Sequence, residues 1–169
     1  MVTIVMTFKG APEERLDNSK LLANAFNGEV YIGTADTVDN LYRIALKAKS
    51  EGLLLLEDDV IGYDKDLILS TIETNKDKIV NFNYSKLGTI DGSKYIYNQC
   101  VYLPPEFLDK LIEDRHYVYT HQAYYVTTKQ HDLWIADLMR RNKLSFLSVG
   151  GRILTNFKST LGHDNGTSD

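Results

Sequence analysis

The chain has 169 residues, of which 43% are hydrophobic and 25% charged, and its formal net charge is −4 at pH 7. These values are typical of a globular domain, and a chain of this length buries roughly 70% of the surface that its unfolded form exposes. The acidic balance, with no basic block, argues against tight nonspecific nucleic-acid binding, although a nucleic acid stays open as a transient substrate.

Nothing in the sequence predicts a membrane segment or a secretion signal. No stretch approaches the roughly 20 apolar residues of a membrane span, and residues 1–6 lack the basic region of a signal peptide. Cys100 has no second cysteine with which to pair, and its apolar neighbours favour a buried structural thiol over a nucleophile. We therefore expect a cytoplasmic protein.

The first 60 residues predict alternating strands and helices. The predicted elements are a strand over 3–8, a helix over 13–26 that ends at Asn27-Gly28, a strand over 29–32, a helix capped by Thr37 or Asp39 that stops at Gly52, and a strand over 53–56. The last of these consists of four leucines, which is typical of a strand buried on both faces. A β-α-β-α-β order predicts right-handed crossovers and a mostly parallel sheet with flanking helices.

The remaining chain continues as one α/β domain, for which we predict the bounds 1–158, with a tail over 159–169. The predicted elements are a helix from Asp64 or Asp66 to 74, a strand over 78–84, a loop over 85–98 with a hairpin arm at 95–97, a strand over 100–103, a helix from Pro104-Pro105 to 115, a helix over 132–142, and strands over 145–149 and 153–157. Residues 117–125 are rich in tyrosine, and two interpretations stay open: a stacking surface for a sugar or base, or core aromatics.

Three adjacent carboxylates, Glu57, Asp58 and Asp59, directly follow the leucine strand. Ligands of open α/β sheets bind at the carboxyl ends of the strands, which is where this triplet lies. Residues 57 and 59 of an extended chain point to one side and residue 58 to the other. Like charges this close need a countercharge, and a divalent cation is the simplest one. The competing interpretation is an acidic surface turn.

Four other residues are candidates on weaker grounds. Lys9 and Arg15 follow the first strand and either meet a diphosphate or form a solvated surface. Asp132 is either a residue of the first helical turn or a general base. His163 lies close to the end of the sequence and is either solvated or a third ligand for Mn²⁺.

Several segments, taken in order, resemble small glycosyltransferases of the GT-A fold, particularly the phage-encoded and family 25-like groups. The matching segments are Asn40…Arg43…Ala48…Gly52, the LEDDV sequence of 56–60, residues 100–104, residues 132–136 with 144–149, and residues 159–164, which resemble a closing S-S-x-G-H segment. The chain departs from the pattern in three ways. His131-Asp132 stands where many relatives carry two acids, Gly150-Gly151-Arg152 replaces a PSL-like stretch, and the chain is shorter than most.

The resemblance implies a metal-dependent transferase that moves a sugar from a nucleoside diphosphate donor to a hydroxyl group of a modified DNA base, a glycan or a protein. Its cofactor would be Mn²⁺ or Mg²⁺, and a phage-encoded enzyme would act in the cytoplasm of the host cell. The implied metal ligands are Asp59, bound directly, and His163, and the implied acceptor-side acid or base is Asp132. The implied donor-binding residues are Thr7, Lys9, Arg15, Asn40, Glu57 and Asp58.

Two functions of other classes stay open. One is a noncatalytic nucleotide- or cation-binding α/β module, which would place the same carboxylates around a cation without catalysing a reaction. The other is a metal-dependent nuclease, which would require a basic groove that the sequence does not indicate.

Overall fold

The computed structural model describes residues 1–82, 87–90, 93–96, 99–121, 130–149 and 154–156. The strands are β1 (Val2–Phe8), β2 (Glu29–Gly33), β3 (Leu53–Glu57), β4 (Val60–Tyr63), β5 (Ile79–Asn81), β6 (Leu87–Ile90), β7 (Ser93–Ile96), β8 (Cys100–Leu103), β9 (Phe146–Ser148) and β10 (Leu154–Asn156). The helices are α1 (Glu13–Ala25), α2 (Thr37–Ala48), α3 (Lys65–Thr74), α4 (Pro105–Thr120) and α5 (His131–Arg141).

The central sheet has six strands in the order β2-β1-β3-β8-β5-β9. Its pairs are parallel, except that β8 runs antiparallel to both of its neighbours, β3 and β5. The predicted single α/β domain with a mostly parallel sheet is therefore confirmed. The parallel start of the chain follows from its β-α-β-α-β order, because each helix returns the chain to the same end of the sheet.

The leucine strand lies at the centre and divides the core into two layers. Leu53 and Leu55 pack in one cluster with residues of α2, α4 and α5, whereas Leu54 and Leu56 pack in the other with residues of α1 and α3. Successive side chains of a strand point to opposite faces, so an unbroken apolar run is what a strand covered on both sides requires. Cys100 lies in the second cluster and is fully buried, as predicted.

The structure differs from the prediction where long-range pairing decides the local conformation. Val60–Tyr63 is a strand, not predicted, because it pairs antiparallel with β10. The loop over 85–98 contains a hairpin, as its predicted hairpin arm indicated, in which β6 and β7 pair antiparallel, although the arm is Ser93–Ile96 and not 95–97. The predicted strand over 78–84 is shorter, since β5 covers Ile79–Asn81.

Helix α4 is longer than predicted, reaching Thr120 instead of 115. Two contacts of its last turns hold it against the domain. Val118 is buried in the first cluster, and the Arg115 guanidinium lies 4.4 Å from the centroid of the Tyr42 ring on α2. Among the described helices, none is long and apolar enough to cross a membrane.

Candidate functional site

The predicted site residues converge on the edge of the sheet where β1 and β3 end. These strands are parallel neighbours, and Met6 is opposite Glu57 in their register, so Thr7 follows beside the acidic triplet. The extended chain ends at Glu57, and Asp58 and Asp59 form a turn that leads into β4. The alternation expected of a strand therefore applies to Glu57 but does not extend through Asp59.

Asp58 lies on the α1 side of the sheet and is held by two neighbours. The Thr7 hydroxyl donates a hydrogen bond of 2.5 Å to its Oδ2, and Arg15 Nη2 lies 2.5 Å from its Oδ1. The Asp58 side chain is only 4% exposed. Burial raises the pKa of Asp58 more than the Thr7 hydrogen bond and the Arg15 charge lower it. Asp58 therefore joins the ends of β1 and β3 to α1 within the domain.

The backbone of the acidic turn is also attached to α1. Asn18 Nδ2 donates hydrogen bonds to the carbonyl oxygens of Asp58 at 2.8 Å and Val60 at 2.7 Å. A side-chain amide that binds two carbonyls on either side of a turn restricts its conformation, because both acceptors must keep their positions to be satisfied. Asn18 was not predicted to be part of the site, and only the packing of α1 against the turn reveals its role.

Asp59 follows in the turn, and its side chain is 14% exposed. Arg15 Nη2 lies 3.9 Å from Asp59 Oδ2, so one guanidinium lies between the carboxylates of Asp58 and Asp59. Gln99 Nε2 donates a longer hydrogen bond of 3.4 Å to the same Asp59 oxygen. Arg15 thus supplies part of the countercharge that the triplet needs.

Glu57 lies on the other side of the sheet, near the start of α5. Its Oε1 is 3.7 Å from His131 Nε2, and its side chain is 27% exposed. Burial raises the pKa of Glu57 well above its usual range, and the negative charges of Asp59, Asp132 and Asp58 raise it further, in that order, against the opposing charge of Arg15. Arg15 therefore offsets only part of the negative charge at this edge.

Helix α5 contributes His131 and Asp132 to the same place. His131 is buried, its backbone N–H donates to Thr37 Oγ1 at 3.1 Å, and its Nε2 has no hydrogen-bond partner among the described residues. Burial lowers the pKa of His131, while the charge of Asp132 raises it. Asp132 is half-buried in the first turn of α5, where its Oδ1 accepts a hydrogen bond of 3.0 Å from the Leu133 N–H. The sequence prediction included Asp132 but not His131. The available signal was that His131 occupies a position where many of the similar glycosyltransferases carry an acid.

Two other predicted donor-binding residues lie at the same end of the sheet in different environments. The Lys9 side chain is exposed after β1, and its backbone N–H donates to Gly33 O at 3.1 Å. Asn40 is buried, and its amide accepts from the Thr34 N–H at 3.1 Å and donates to Thr34 O at 2.9 Å. Asn40 thus holds the turn that follows β2.

The predicted second metal ligand, His163, lies outside the described residues, as do the rest of the tail over 159–169 and the Gly150-Gly151-Arg152 stretch. Within the described ranges, no group of three or more His, Cys, Asp or Glu side chains is arranged to hold a metal ion. The described part of the site is therefore a set of carboxylates with an arginine and a histidine, at one edge of the sheet.

Comparison with known proteins supports the fold of this domain. No protein-family model matches the chain, and no curated protein matches it by sequence. A solved structure that is similar to it is that of a glycosyltransferase involved in the glycosylation of the major capsid of PBCV-1. The two share a TM-score of 0.54 and 13% sequence identity, over 88% of this chain and 80% of that chain. The chain therefore has a glycosyltransferase-like fold.

Proposed function

We propose that this protein is a glycosyltransferase that moves a sugar from a nucleoside diphosphate donor to a hydroxyl group. The observation that carries the proposal is the position of Glu57, Asp58 and Asp59 at the carboxyl end of the central strand, in a glycosyltransferase-like fold. Fold alone does not define an activity, so the chemistry of this edge carries the argument. In the reaction, the acceptor oxygen bonds to the anomeric carbon as the bond from that carbon to the diphosphate oxygen breaks.

The diphosphate of the donor would lie at the end of β1. Lys9 is exposed there and supplies a cation, whereas Arg15 is already paired with Asp58 and acts mainly by balancing the acidic turn. Thr7 and Asp58 are buried against each other, so in this proposal they shape the donor site from within. Asn40 contributes by holding the turn after β2 at the same edge.

The donor chemistry of the site fits a divalent cation that is shared with a diphosphate. Arg15 balances only part of the negative charge, since its effect on the pKa of Glu57 is smaller than that of Asp59, Asp132 or Asp58, which follow burial as causes of the raised value. Mg²⁺ and Mn²⁺ take one or two protein carboxylates and complete their coordination with water and phosphate oxygens, so a preformed cage is not required. Asp59 would hold the cation, together with His163. A bound cation would supply electrostatic stabilisation of the negative charge on the leaving diphosphate.

The acceptor hydroxyl would approach from the α5 side. Asp132 is half-buried in the first turn of α5, and its charge raises the pKa of Glu57, which supports a role at the same edge of the sheet. In an inverting reaction its carboxylate would take the proton of the acceptor hydroxyl, whereas a retaining reaction needs no strong base there. The acceptor classes remain a modified DNA base, a glycan or a protein.

Thermal melting with a panel of nucleoside diphosphate sugars, with and without Mn²⁺, tests the proposal. We expect one donor to stabilise the wild type in a Mn²⁺-dependent way, by about 2.7 kcal/mol at a hundredfold excess over its dissociation constant. Asp59→Asn should abolish the stabilisation. Asp109→Asn is the matched control, because Asp109 is an exposed acid of α4.

Three other outcomes would contradict the proposal. If no donor stabilises the wild type and Mn²⁺ supports cleavage of DNA, the protein is a nuclease. If a donor binds but no nucleoside diphosphate is released with any acceptor class, the domain is a noncatalytic binding module. If Asp59→Asn and Asp109→Asn behave alike, Asp59 does not hold the cation.

A further inference from the structure

A buried histidine, His131, lies at the candidate site with one of its two ring nitrogens unpaired among the described residues. The His131 side chain is 8% exposed, and its Nε2 is a buried atom with no hydrogen-bond partner among the described residues. Leaving a buried polar group unsatisfied destabilises a protein, so such groups are uncommon and call for an explanation. The Glu57 carboxyl group lies close to this nitrogen, with 3.7 Å between Nε2 and Oε1.

The distance and the burial indicate how His131 can act. A separation of 3.7 Å is too long for a hydrogen bond, yet a shift of less than about 1 Å would bring the two atoms to the usual range of 2.7–3.2 Å. Nε2 is not accessible to solvent, whereas the Glu57 side chain is 27% exposed. A ligand can therefore touch Glu57 but not the imidazole nitrogen that lies behind it.

We propose that His131 is a positioning residue that holds the carboxyl group of Glu57 from behind, through a hydrogen bond of Nε2 that forms when the donor binds. This inference rests on the proposed function, since it makes Glu57 the group that contacts the donor. The backbone of His131 is fixed by its hydrogen bond to Thr37 and by the start of α5. Because the backbone of His131 is held in place, its imidazole can fix the orientation of the Glu57 carboxyl group.

The electrostatic environment is compatible with this role. Burial lowers the pKa of His131 and raises that of Glu57, so it favours the uncharged form of each side chain. A neutral imidazole can donate or accept through Nε2, according to its tautomer, and a carboxyl group can do the same according to its protonation. The pair therefore needs only one proton between the two atoms to form its hydrogen bond.

Two substitutions of His131 test the role of Nε2 in particular. The side-chain amide of Gln reaches about as far as the Nε2 of histidine, whereas that of Asn reaches only as far as Nδ1. We expect His131→Gln to bind the donor within about threefold of the wild type, and His131→Asn to bind it at least about tenfold more weakly, because Asn cannot form the buried hydrogen bond to the carboxyl group of Glu57. Melting in the absence of donor shows whether both variants are folded.

A second measurement does not depend on any donor or on a change at His131. In full-length protein with ¹⁵N-labelled histidine, Glu57→Gln should shift the Nε2 resonance of His131, and the control Asp109→Asn should leave it unchanged. Loss of that resonance in His131→Gln provides its assignment. The shift requires only that the two side chains be neighbours, so it can be read even if the proposed function is wrong.

The two measurements separate the possible failures. An Nε2 resonance that is insensitive to Glu57→Gln refutes the contact and with it the positioning role. Equal donor affinities of His131→Gln and His131→Asn refute the role of Nε2. If no donor binds the wild type, the proposed function fails, and the role of His131 toward a donor fails with it, whereas a resonance that still shifts retains the contact alone.

Discussion

The ion pair between Arg15 and Asp58 provides a direct test of how the acidic turn is held. Arg15→Met removes the guanidinium but keeps an unbranched apolar side chain of similar reach. The two side chains are 15% and 4% exposed and lie 2.5 Å apart, so this is a buried pair. Removal of one partner of a buried pair costs about 3–5 kcal/mol, because the other charge stays buried without compensation.

We expect a loss near the lower end of that range, about 3 kcal/mol. The reason is that Thr7 Oγ1 still donates its hydrogen bond to Asp58 when Arg15 is absent. Urea denaturation at pH 7.5 with EDTA gives the free energy of unfolding without a contribution from bound cations. The double variant Arg15→Met/Asp58→Asn should be more stable than Arg15→Met, since it leaves no unpaired buried charge.

A double-mutant cycle measures the coupling energy between Arg15 and Asp58. The reasoning is refuted if Arg15→Met lowers the free energy of unfolding by less than about 1 kcal/mol, which is the value of an exposed pair. It is also refuted if the losses of the two single variants simply add in the double variant. Lys20→Met is the control for loss of a cation on α1, because Lys20 and its partner Asp17 are both largely exposed.

Two further predictions concern residues around α2. Asn40→Ala should lower the free energy of unfolding by about 2 kcal/mol, because it removes the buried amide that binds both the N–H and the carbonyl of Thr34; a loss below about 1 kcal/mol in urea denaturation would contradict this. The hydrogen bond from Arg43 and the charge of Arg115 lower the pKa of Asp39 in the folded protein. Asp39 therefore stabilises the fold above the pKa that it has in the unfolded chain, and this stabilisation is lost as the pH falls through its lower pKa in the folded protein. Wild type and Asp39→Asn should accordingly differ by about 1 kcal/mol at pH 7 and converge once the pH has fallen through the folded pKa of Asp39, and a difference that stays constant down to acid pH would exclude the ionic contribution.

The elements that could be predicted from sequence are those whose pattern is local. Helix α3 begins next to Asp64, one of the two start residues predicted for it, whose side chain accepts a hydrogen bond from the Leu67 N–H. The existence of α2 was predicted, but its cap is Asp36, which accepts from the Asp39 N–H, and not Thr37 or Asp39. The leucine strand can be recognised without its partners, because a short apolar run bounded by Gly52 and by three acids favours a strand covered on both faces. These signals lie within a few residues of the structure that they specify.

The elements that could not be predicted depend on partners far away in the chain. β4 exists because β10 pairs with it, some 90 residues later, and α4 continues past Arg115 because Val118 enters the core. Likewise, the antiparallel insertion of β8 between β3 and β5 does not follow from any local feature. Pairing over such distances has no short-range signature, since the residues that decide it are not neighbours in sequence.

In the candidate site, too, some features could be predicted from the sequence and others depend on the tertiary structure. The sequence by itself determined that Glu57, Asp58 and Asp59 follow a fully buried strand, and that such a position is the ligand-binding edge of a parallel sheet. Only the tertiary structure decided their separate environments. Asp58 pairs with Arg15 and accepts a hydrogen bond from Thr7 on the α1 side, whereas Glu57 lies near His131 on the α5 side. The physical reason is that charge and type are properties of each residue, whereas burial and countercharge are properties of the neighbours that the fold brings to it.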